Sequence, residues 1–339
     1  MYWYRVGQKM KILQRIVILL AIAFLCISCK SAPGLGYNPW KVVPLPTEAT
    51  LQDIAFTGDS NHGWMVGSNL TLLETTDGGE TWQERGIELD GLNYRFTSVS
   101  FSGDEGWIVG APAILLHTND GGTSWSRIQL SSRLPGDPNR ILALGPQSAE
   151  ISTTVGAIYQ TNDGGKTWKA LVQEAVGVVR NISRSLSGEY VAVSSNGSFY
   201  STWEPGQTAW VQHNRTSSKR LQSMGFTQNG GLWLLGRGGV IQFTDGEDLE
   251  SWQDPLYPDR RTNLGLLDLA YRTPEEVWIA GGSGSLLCSL DGGNTWQKDM
   301  EAENIPANLY KIVFLTPEKG FILGNNGVLL KYDQSATAG

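Results

Sequence analysis

Tryptophan recurs at a nearly constant interval along most of the chain. Successive members of the series are 42, 43, 43, 42, 42 and 44 residues apart. The series consists of Trp40, Trp82, Trp125, Trp168, Trp210, Trp252 and Trp296. An internal repeat of about 40 to 50 residues is typical of a propeller or a solenoid, in which each repeat forms one supersecondary unit. The 339 residues are therefore predicted to form one array, although length alone would suggest two domains.

Each repeat reads as four short β-strands. Alternating apolar and polar residues mark the first strand, as in Phe96–Phe101, and a Gly-Trp-x-Val-Gly run marks the second. The seventh repeat lacks its Trp strand, and the segment that begins Trp40-Lys-Val-Val-Pro-Leu can supply it from the other end of the chain. The prediction is an all-β, seven-bladed β-propeller over residues 37–333. Its blades are four-stranded and antiparallel, and the N-terminal strand closes the ring.

The first 28 residues read as an export signal. Four basic residues and no acidic ones precede an apolar run that is shorter than the roughly 20 residues of a membrane-spanning helix. Leu25-Cys-Ile-Ser-Cys29 resembles a bacterial lipobox, which predicts a lipoprotein signal peptide over residues 1–28, cleavage before Cys29 and lipidation of Cys29. Ordinary cleavage nearby without a lipid is the alternative. Residues 29–36 are then a linker and residues 334–339 a C-terminal tail.

Charge and cysteine content exclude several classes of protein. Without the signal, 22 basic residues stand against 33 acidic ones, so the net charge is near -11 and nucleic-acid binding is not expected. Cys26 leaves with the signal and Cys29 would be acylated, so Cys288 remains as a core residue and no disulfide forms. The three histidines show no metal-ligand spacing, and no metal or cofactor is expected.

Four repeats carry the motif Ser/Thr-x-Asp-Gly-Gly-x-Thr/Ser-Trp, and two more carry degenerate copies of it. This is the Asp-box found in sialidases and many other propellers. Its aspartate can accept hydrogen bonds from backbone and hydroxyl groups of its own turn, and one such acid per blade lies too far from the next for a catalytic pair. We therefore predict a structural role for Asp77, Asp120, Asp163 and Asp291.

Basic residues are concentrated between Ala175 and Val240, where six of them accompany only two acids. In a propeller, the loops from fourth to first strand and from second to third strand emerge on one face, and most of these residues fall in or beside such loops. The sequence thus predicts a cationic patch on blades four to six that binds carboxylates of an acidic partner, with scattered solvated charges as the alternative. The predicted partner-binding residues are Arg180, Arg184, Arg215, Lys219, Arg220, Arg237, Arg260 and Arg261.

The lipobox, the seven repeats and the Asp-Gly-Gly-x-Thr-Trp turns together resemble the photosystem II stability and assembly factor family. The resemblance covers essentially the whole mature chain and includes the Trp40–Pro46 opening. It implies a non-enzymatic, monomeric propeller that is held by its lipid on the lumenal side of the thylakoid membrane. It also implies binding to the newly inserted precursor of the reaction-centre subunit PsbA and to early photosystem II intermediates, and assembly of PsbA with PsbD. The family's arginine-rich face would correspond to the predicted patch.

Two other functions fit parts of the pattern. A sialidase-like exported glycosidase shares the Asp-box and binds a substrate carboxylate through arginine, but it needs inward-facing arginines from several blades together with a nucleophile and an acid. A generic lipid-anchored adhesion propeller would bind its partner without any role in photosynthesis. Both remain open at the level of sequence.

Overall fold

The computed structural model describes residue 35 and residues 38–89, 92–215, 217–245, 248–258 and 265–333. The predicted signal peptide with Cys29, nearly all of the linker, the C-terminal tail, Arg260 and Arg261 lie outside these ranges. In the part of the chain that is described, no helix has the length and apolar character needed to cross a membrane.

The described residues form 28 strands and one short 3-10 turn at Ala302–Asn304. In chain order, the first half comprises β1 (Trp40–Val43), β2 (Leu51–Phe56), β3 (Gly63–Gly67), β4 (Leu72–Thr75), β5 (Gln83–Glu84), β6 (Arg95–Ser102), β7 (Glu105–Ala111), β8 (Ile114–Thr118), β9 (Ser126–Arg127), β10 (Pro138–Gly145), β11 (Ser148–Thr153), β12 (Ile158–Thr161), β13 (Lys169–Ala170) and β14 (Val179–Arg184). The second half comprises β15 (Tyr190–Ser194), β16 (Phe199–Trp203), β17 (Val211–Asn214), β18 (Leu221–Phe226), β19 (Leu232–Gly236), β20 (Val240–Asp245), β21 (Asp248–Trp252), β22 (Leu266–Tyr271), β23 (Val277–Gly281), β24 (Leu286–Ser289), β25 (Gln297–Lys298), β26 (Leu309–Thr316), β27 (Lys319–Gly324) and β28 (Leu329–Tyr332).

Seven four-stranded antiparallel sheets confirm the predicted propeller. Blades 1 to 6 each use four consecutive strands, from β2–β5 in blade 1 to β22–β25 in blade 6. Blade 7 has the order β1-β28-β27-β26, with Trp40 opposite Tyr332. The Trp40 ring also meets Trp278 of blade 6 edge-on, with a centroid separation of 5.4 Å. The N-terminal strand therefore closes the ring, as the repeat count predicts.

Second strands such as β3, which is formed by a Gly-Trp run, and β23 are buried throughout their length. Neighbouring blades cover both faces of such a strand, so it is apolar without alternation. Gly106, the second residue of β7, has a packing role, because a Cβ there would lie 2.2 Å from the ring of Phe101. The aromatic residue near the end of the first strand thus occupies the space above the glycine of the second.

First strands of neighbouring blades contact one another and so line the central channel. Each pairs with its second strand through a break in register, and one polar residue follows that break. We call these seven residues the polar belt: Asp53, Ser98, Arg140, Asn181, Ser223, Asp268 and Lys311. Belt carboxylate and amide oxygens accept hydrogen bonds from the next blade, as in Ile312 N–H to Asp268 Oδ2 at 3.0 Å. The belt therefore ties blades together along the channel.

Candidate functional site

The Asp-box aspartates accept hydrogen bonds from within their own turns. Asp77 accepts hydrogen bonds from Thr75 Oγ1 at 2.8 Å, from the Thr81 N–H at 2.9 Å and from the Thr81 hydroxyl. The Thr75 hydroxyl in turn accepts the Gly79 N–H at 2.9 Å. The same bonds recur around Asp120, Asp163 and Asp291.

These bonds keep the box carboxylates ionised. Hydrogen bonds lower the pKa of Asp77, Asp120 and Asp163 to about 2. The largest contribution in each box comes from the hydroxyl group of the residue four positions later. Burial opposes the shift at Asp291, but its hydrogen bonds still lower the pKa. A carboxylate that accepts hydrogen bonds from its own turn and has a lowered pKa is suited to a structural role. It is not suited to act as a general acid, because a general acid needs a raised pKa.

Blades 4 and 5 have lost the box and are built differently at their outer edge. Their fourth strands contain four and five residues, whereas the fourth strands of the box blades contain two. The His213 ring stacks on Tyr200 with centroids 4.8 Å apart. His213 also bonds Thr202 Oγ1 at 2.8 Å and Glu250 Oε1 at 2.9 Å. This cluster fastens the two extended strands where a box turn is missing.

Five of the predicted basic residues come together on blades 4 and 5, at the face that carries the loops from second to third and from fourth to first strand. We call them the arginine patch: Arg180, Arg215, Lys219, Arg220 and Arg237. We call their face the patch face and the opposite one the Asp-box face. No salt bridge joins these five side chains to a carboxylate among the described residues. Within the described ranges, therefore, no carboxylate pairs with these five charges.

Arg180 is held across two blades although it is exposed. Its Nε and Nη2 donate to the Ser195 carbonyl at 3.3 and 2.9 Å, and its Nη1 donates to Gln222 Oε1 of blade 5 at 3.0 Å. A guanidinium has five N–H donors, so two remain for a ligand. The held side chain loses little conformational freedom when a carboxylate binds.

Arg220 and Arg237 are both exposed. Their backbones are adjacent, because the Arg237 N–H donates to the Arg220 carbonyl at 2.8 Å. A glycine allows this approach of the loops. Gly197 has a φ of +68°, and a Cβ there would lie 2.4 Å from the Leu221 carbonyl oxygen. The loop between β15 and β16 can therefore close against the start of β18, which places both arginines beside it.

Arg215 and Lys219 form the outer end of the patch. Arg215 Nη1 donates to the Lys219 carbonyl at 2.9 Å, and burial lowers the pKa of Arg215. Lys219 Nζ lies 5.2 Å from the centre of the Tyr257 ring. Arg215 also lines a cavity of about 400 Å³ with Tyr200, at the edge of the His213 cluster.

Arg184 lies apart from the patch, at the opposite end of β14. Its Nε donates to Glu150 Oε1 at 2.7 Å, and the Tyr190 hydroxyl donates to the same oxygen at 2.7 Å. Glu150 is buried, so Arg184 neutralises an internal charge. Arg260 and Arg261 lie outside the described residues, and their placement in the patch stays a prediction.

Sequence reasoning missed the polar belt. The signal was present as one polar residue at the same position of every first strand, but the position acquires meaning only when the ring brings the seven together. Within the described ranges, no group of three or more His, Cys, Asp or Glu side chains could hold a metal ion. Cys288 is fully buried in β24, as expected for a core residue.

The repeats, the ring closure and the structural boxes define an Asp-box β-propeller with a cationic face. The family model for the photosystem II assembly factor YCF48 matches residues 32–333. The chain belongs to this family, which confirms the resemblance found in the sequence.

Similar proteins and similar solved structures carry the name of the same family. The photosystem II assembly lipoprotein Ycf48 of Trichormus variabilis is 62% identical over 95% of both chains, and the assembly protein Ycf48 of Thermosynechococcus vestitus is 59% identical over 98% of this chain and 96% of its own. A structure of YCF48 bound to D1 peptide has a TM-score of 0.87 and 60% identity, covering 90% of this chain and 100% of that one. YCF48 from Cyanidioschyzon merolae has a TM-score of 0.83 and 44% identity, covering 88% and 100%.

Proposed function

We propose that this protein is a non-enzymatic assembly, stability and repair factor of photosystem II. It binds the newly inserted precursor of PsbA, the D1 subunit, together with early reaction-centre intermediates, and promotes assembly of PsbA with PsbD. Family membership supports the process, and the similar YCF48 structure bound to D1 peptide supports the partner. The observation that carries the proposal is the arginine patch, whose five cations have no described carboxylate partner in a mature chain of net charge near -11.

The patch suits an acidic, extended segment. Arg180 presents its two remaining N–H groups in a fixed orientation, and Arg220 and Arg237 add exposed guanidinium groups beside it. Val178 and Tyr257 are 61% and 46% exposed, so apolar side chains of the same segment can pack between the charges. The charges select the partner and speed its approach, and the apolar contacts slow its release.

A lipid on Cys29 would place the patch at the membrane where PsbA is inserted. Relatives of this chain are named lipoproteins. We place the anchor on the lumenal side of the thylakoid membrane, with one propeller per anchor. Confinement to the membrane raises the effective concentration of the partner, so modest affinity suffices for capture.

A binding role accounts better for the described groups than catalysis does. The box carboxylates are used within their turns, and the polar belt holds a single arginine, Arg140. The glycosidase alternative would need arginines from several blades to converge on one substrate carboxylate. A fluorogenic sialoside is expected to remain unhydrolysed by the purified protein, and turnover above that of a heat-treated sample would support the enzyme instead.

The proposal is tested by capture from photosynthetic membranes. The tagged protein is compared with the double variant Arg180→Glu/Arg220→Glu, and captured PsbA precursor is quantified. The control Lys166→Glu/Lys169→Glu makes the same change in charge at exposed positions of an Asp-box turn and the strand after it. We expect capture to fall at least about tenfold in the patch variant and to persist in the control. Equal capture by all three proteins would overturn the assignment of the patch, and failure of the native protein to capture PsbA would overturn the proposed partner.

A further inference from the structure

A second site lies inside the channel, away from the arginine patch. A cavity of about 400 Å³ opens on the Asp-box face at blades 4 and 5 and extends inward to the polar belt. Its lining includes Arg140 and Asp268 of the belt, Ser183 of β14, and Phe226 and Trp233 of blade 5. We call it the channel pocket.

Arg140 is the available cation of the channel pocket. Among the described residues, no acceptor bonds its guanidinium, and the side chain is exposed to the cavity. The other cations nearby are occupied, since Arg184 pairs with Glu150 and Lys311 pairs with Asp53. The Ser183 hydroxyl likewise makes no hydrogen bond to a described residue. The pocket thus offers a planar guanidinium and a hydroxyl that make no hydrogen bond to a described residue, and the guanidinium lies in the field of the Asp53 and Asp268 carboxylates.

The remaining wall is partly polar, through Ser185, Ser187, Thr227 and Gln228, and its aromatic part is shaped by a glycine. A Cβ at Gly225 would lie 2.4 Å from the Trp233 ring, so this indole can pack flat against the backbone of β18. Phe226 follows Gly225 at the end of the strand, and Leu186 at the mouth is fully exposed. A ligand that fills the pocket therefore meets a cation at one end and aromatic or aliphatic surface along its side.

We propose that the channel pocket binds a small carboxylate with an apolar body. The carboxylate pairs with the Arg140 guanidinium through two parallel N–H···O bonds and accepts a third from Ser183, while the apolar body rests on Phe226 and Trp233. The site is independent of the arginine patch, because Arg180 and the channel pocket lie toward opposite ends of β14. It therefore gives the propeller a ligand besides its protein partner.

Asp268 couples this binding to pH. Burial raises its pKa to about 6, against the lowering effects of the Ile312 and Leu269 N–H groups and of Lys311 and Arg140. Of the elements near Asp268, β14 contributes Arg184, which pairs with Glu150 of β11, and β26 contributes Lys311, which pairs with Asp53 of β2. The neighbouring strand β18 contributes no ionisable side chain. When Asp268 is ionised it competes for Arg140 and repels the ligand. Protonation removes both effects, so binding tightens as the pH falls through about 6.

The test is a ligand-observed NMR titration of the full mature chain with phenylacetate at about pH 5.5 and 7.5, with neutral phenylacetamide as the matched probe. We expect saturable phenylacetate binding that is tighter at the lower pH, and binding of phenylacetamide at least about tenfold weaker. Arg140→Gln is expected to raise the Kd at least about tenfold and Arg140→Lys by less, because lysine lacks the planar fork. Arg180→Gln should leave the Kd unchanged, and Asp268→Asn should abolish the pH dependence.

Two results would overturn the inference. One is the absence of saturable phenylacetate binding to the native protein at either pH. The other is an Arg140→Gln variant that binds as tightly as the native protein while its thermal melt shows it to be folded. Should Arg140→Gln fail to fold, the comparison of phenylacetate with phenylacetamide on the native protein decides the role of the carboxylate.

Discussion

Blades 1, 2, 3 and 6 differ from blades 4 and 5 in how they finish their sheets. The first group ends each sheet with an Asp-box and a two-residue strand, and its carboxylates are used within their turns. The second group replaces the box with longer outer strands and the Tyr200–His213–Glu250 cluster. The same two blades carry the arginine patch, and they supply part of the channel pocket, whose Arg140 and Asp268 belong to blades 3 and 6. The box turns and the arginine patch thus occupy different parts of a ring built from one repeat.

This division has a physical reason. A box turn uses its charged group internally and leaves little for a ligand, so it suits blades whose task is to close the ring. Blades that bind a partner need charged groups that remain available, and they must secure their outer strands by other contacts. The difference predicts that substitutions in the box turns and the buried framework alter stability, and that substitutions in the arginine patch alter binding of the D1 peptide.

The largest effect on the free energy of unfolding is expected from a buried aromatic residue between two Asp-box blades. Trp107 is fully buried in blade 2, with its ring centre 4.0 Å from that of His117 and 6.2 Å from that of Trp168. Trp107→Ala should lower the free energy of unfolding by about 3–5 kcal/mol, because the cavity removes contacts across two blades. Urea denaturation measures the change, and D1-peptide affinity of the folded variant should stay at the native value. A loss below about 1 kcal/mol would argue against tight packing between these blades.

A smaller effect on stability, joined to an effect on binding, is expected at Gly197. Gly197→Ala puts a Cβ against the Leu221 carbonyl and forces a positive φ on alanine, at a cost of about 1–3 kcal/mol. Because the loop shapes the arginine patch, D1-peptide affinity should fall as well. Gly206→Ala is the matched control, since Gly206 also has a positive φ, of +96°, but has open space around it. If both variants lose affinity equally, the close approach at Gly197 is unimportant for the patch.

The polar belt passes through both groups of blades and gives a pH-dependent prediction. The pKa of Asp268 in the folded protein is about 6, above its ordinary value of 3.8, so stability falls as the pH rises from about 4 to about 6 and stays lower above that. Asp268→Asn keeps an acceptor for the Ile312 N–H and removes the buried charge. It should stabilise the protein by about 1–2 kcal/mol at pH near 7.5 and not at pH near 4. Equal unfolding curves for the two proteins at both pH values would contradict this.

The smallest effect is expected at a single Asp-box. The pKa of Asp77 is lowered to about 2, so its contribution is present above about pH 4 and is lost as the pH falls through about 2. Asp77→Ala should lower the melting temperature by a few degrees at neutral pH and by less in strong acid, where the native carboxylate is protonated too. A scan of melting temperature against pH measures this, and an unchanged melting temperature at neutral pH would remove the structural role.

The sequence predicts the fold well and the site in part. A Trp at a constant interval determines the blade count, and the displaced Trp40 strand determines the closure, because both follow from the repeat alone. Arg180 and Arg184 look equivalent in the sequence, but four residues of strand separate them by about 13 Å and carry them to opposite ends of β14. The roles of Glu150 and Arg140 depend on distant neighbours, since Glu150 bonds Arg184 and Tyr190, which are 34 and 40 residues away, so no local pattern identifies them.

Binding of a D1 segment to the arginine patch can be measured by a fluorescence titration with the D1 peptide. The titration compares the native protein, Arg180→Glu/Arg220→Glu and the control Lys166→Glu/Lys169→Glu at low and high salt. We expect the patch variant to raise the Kd at least about tenfold, the control to leave it unchanged, and salt to weaken native binding. If neither the patch substitutions nor salt alters the Kd, the arginine patch does not bind the D1 segment.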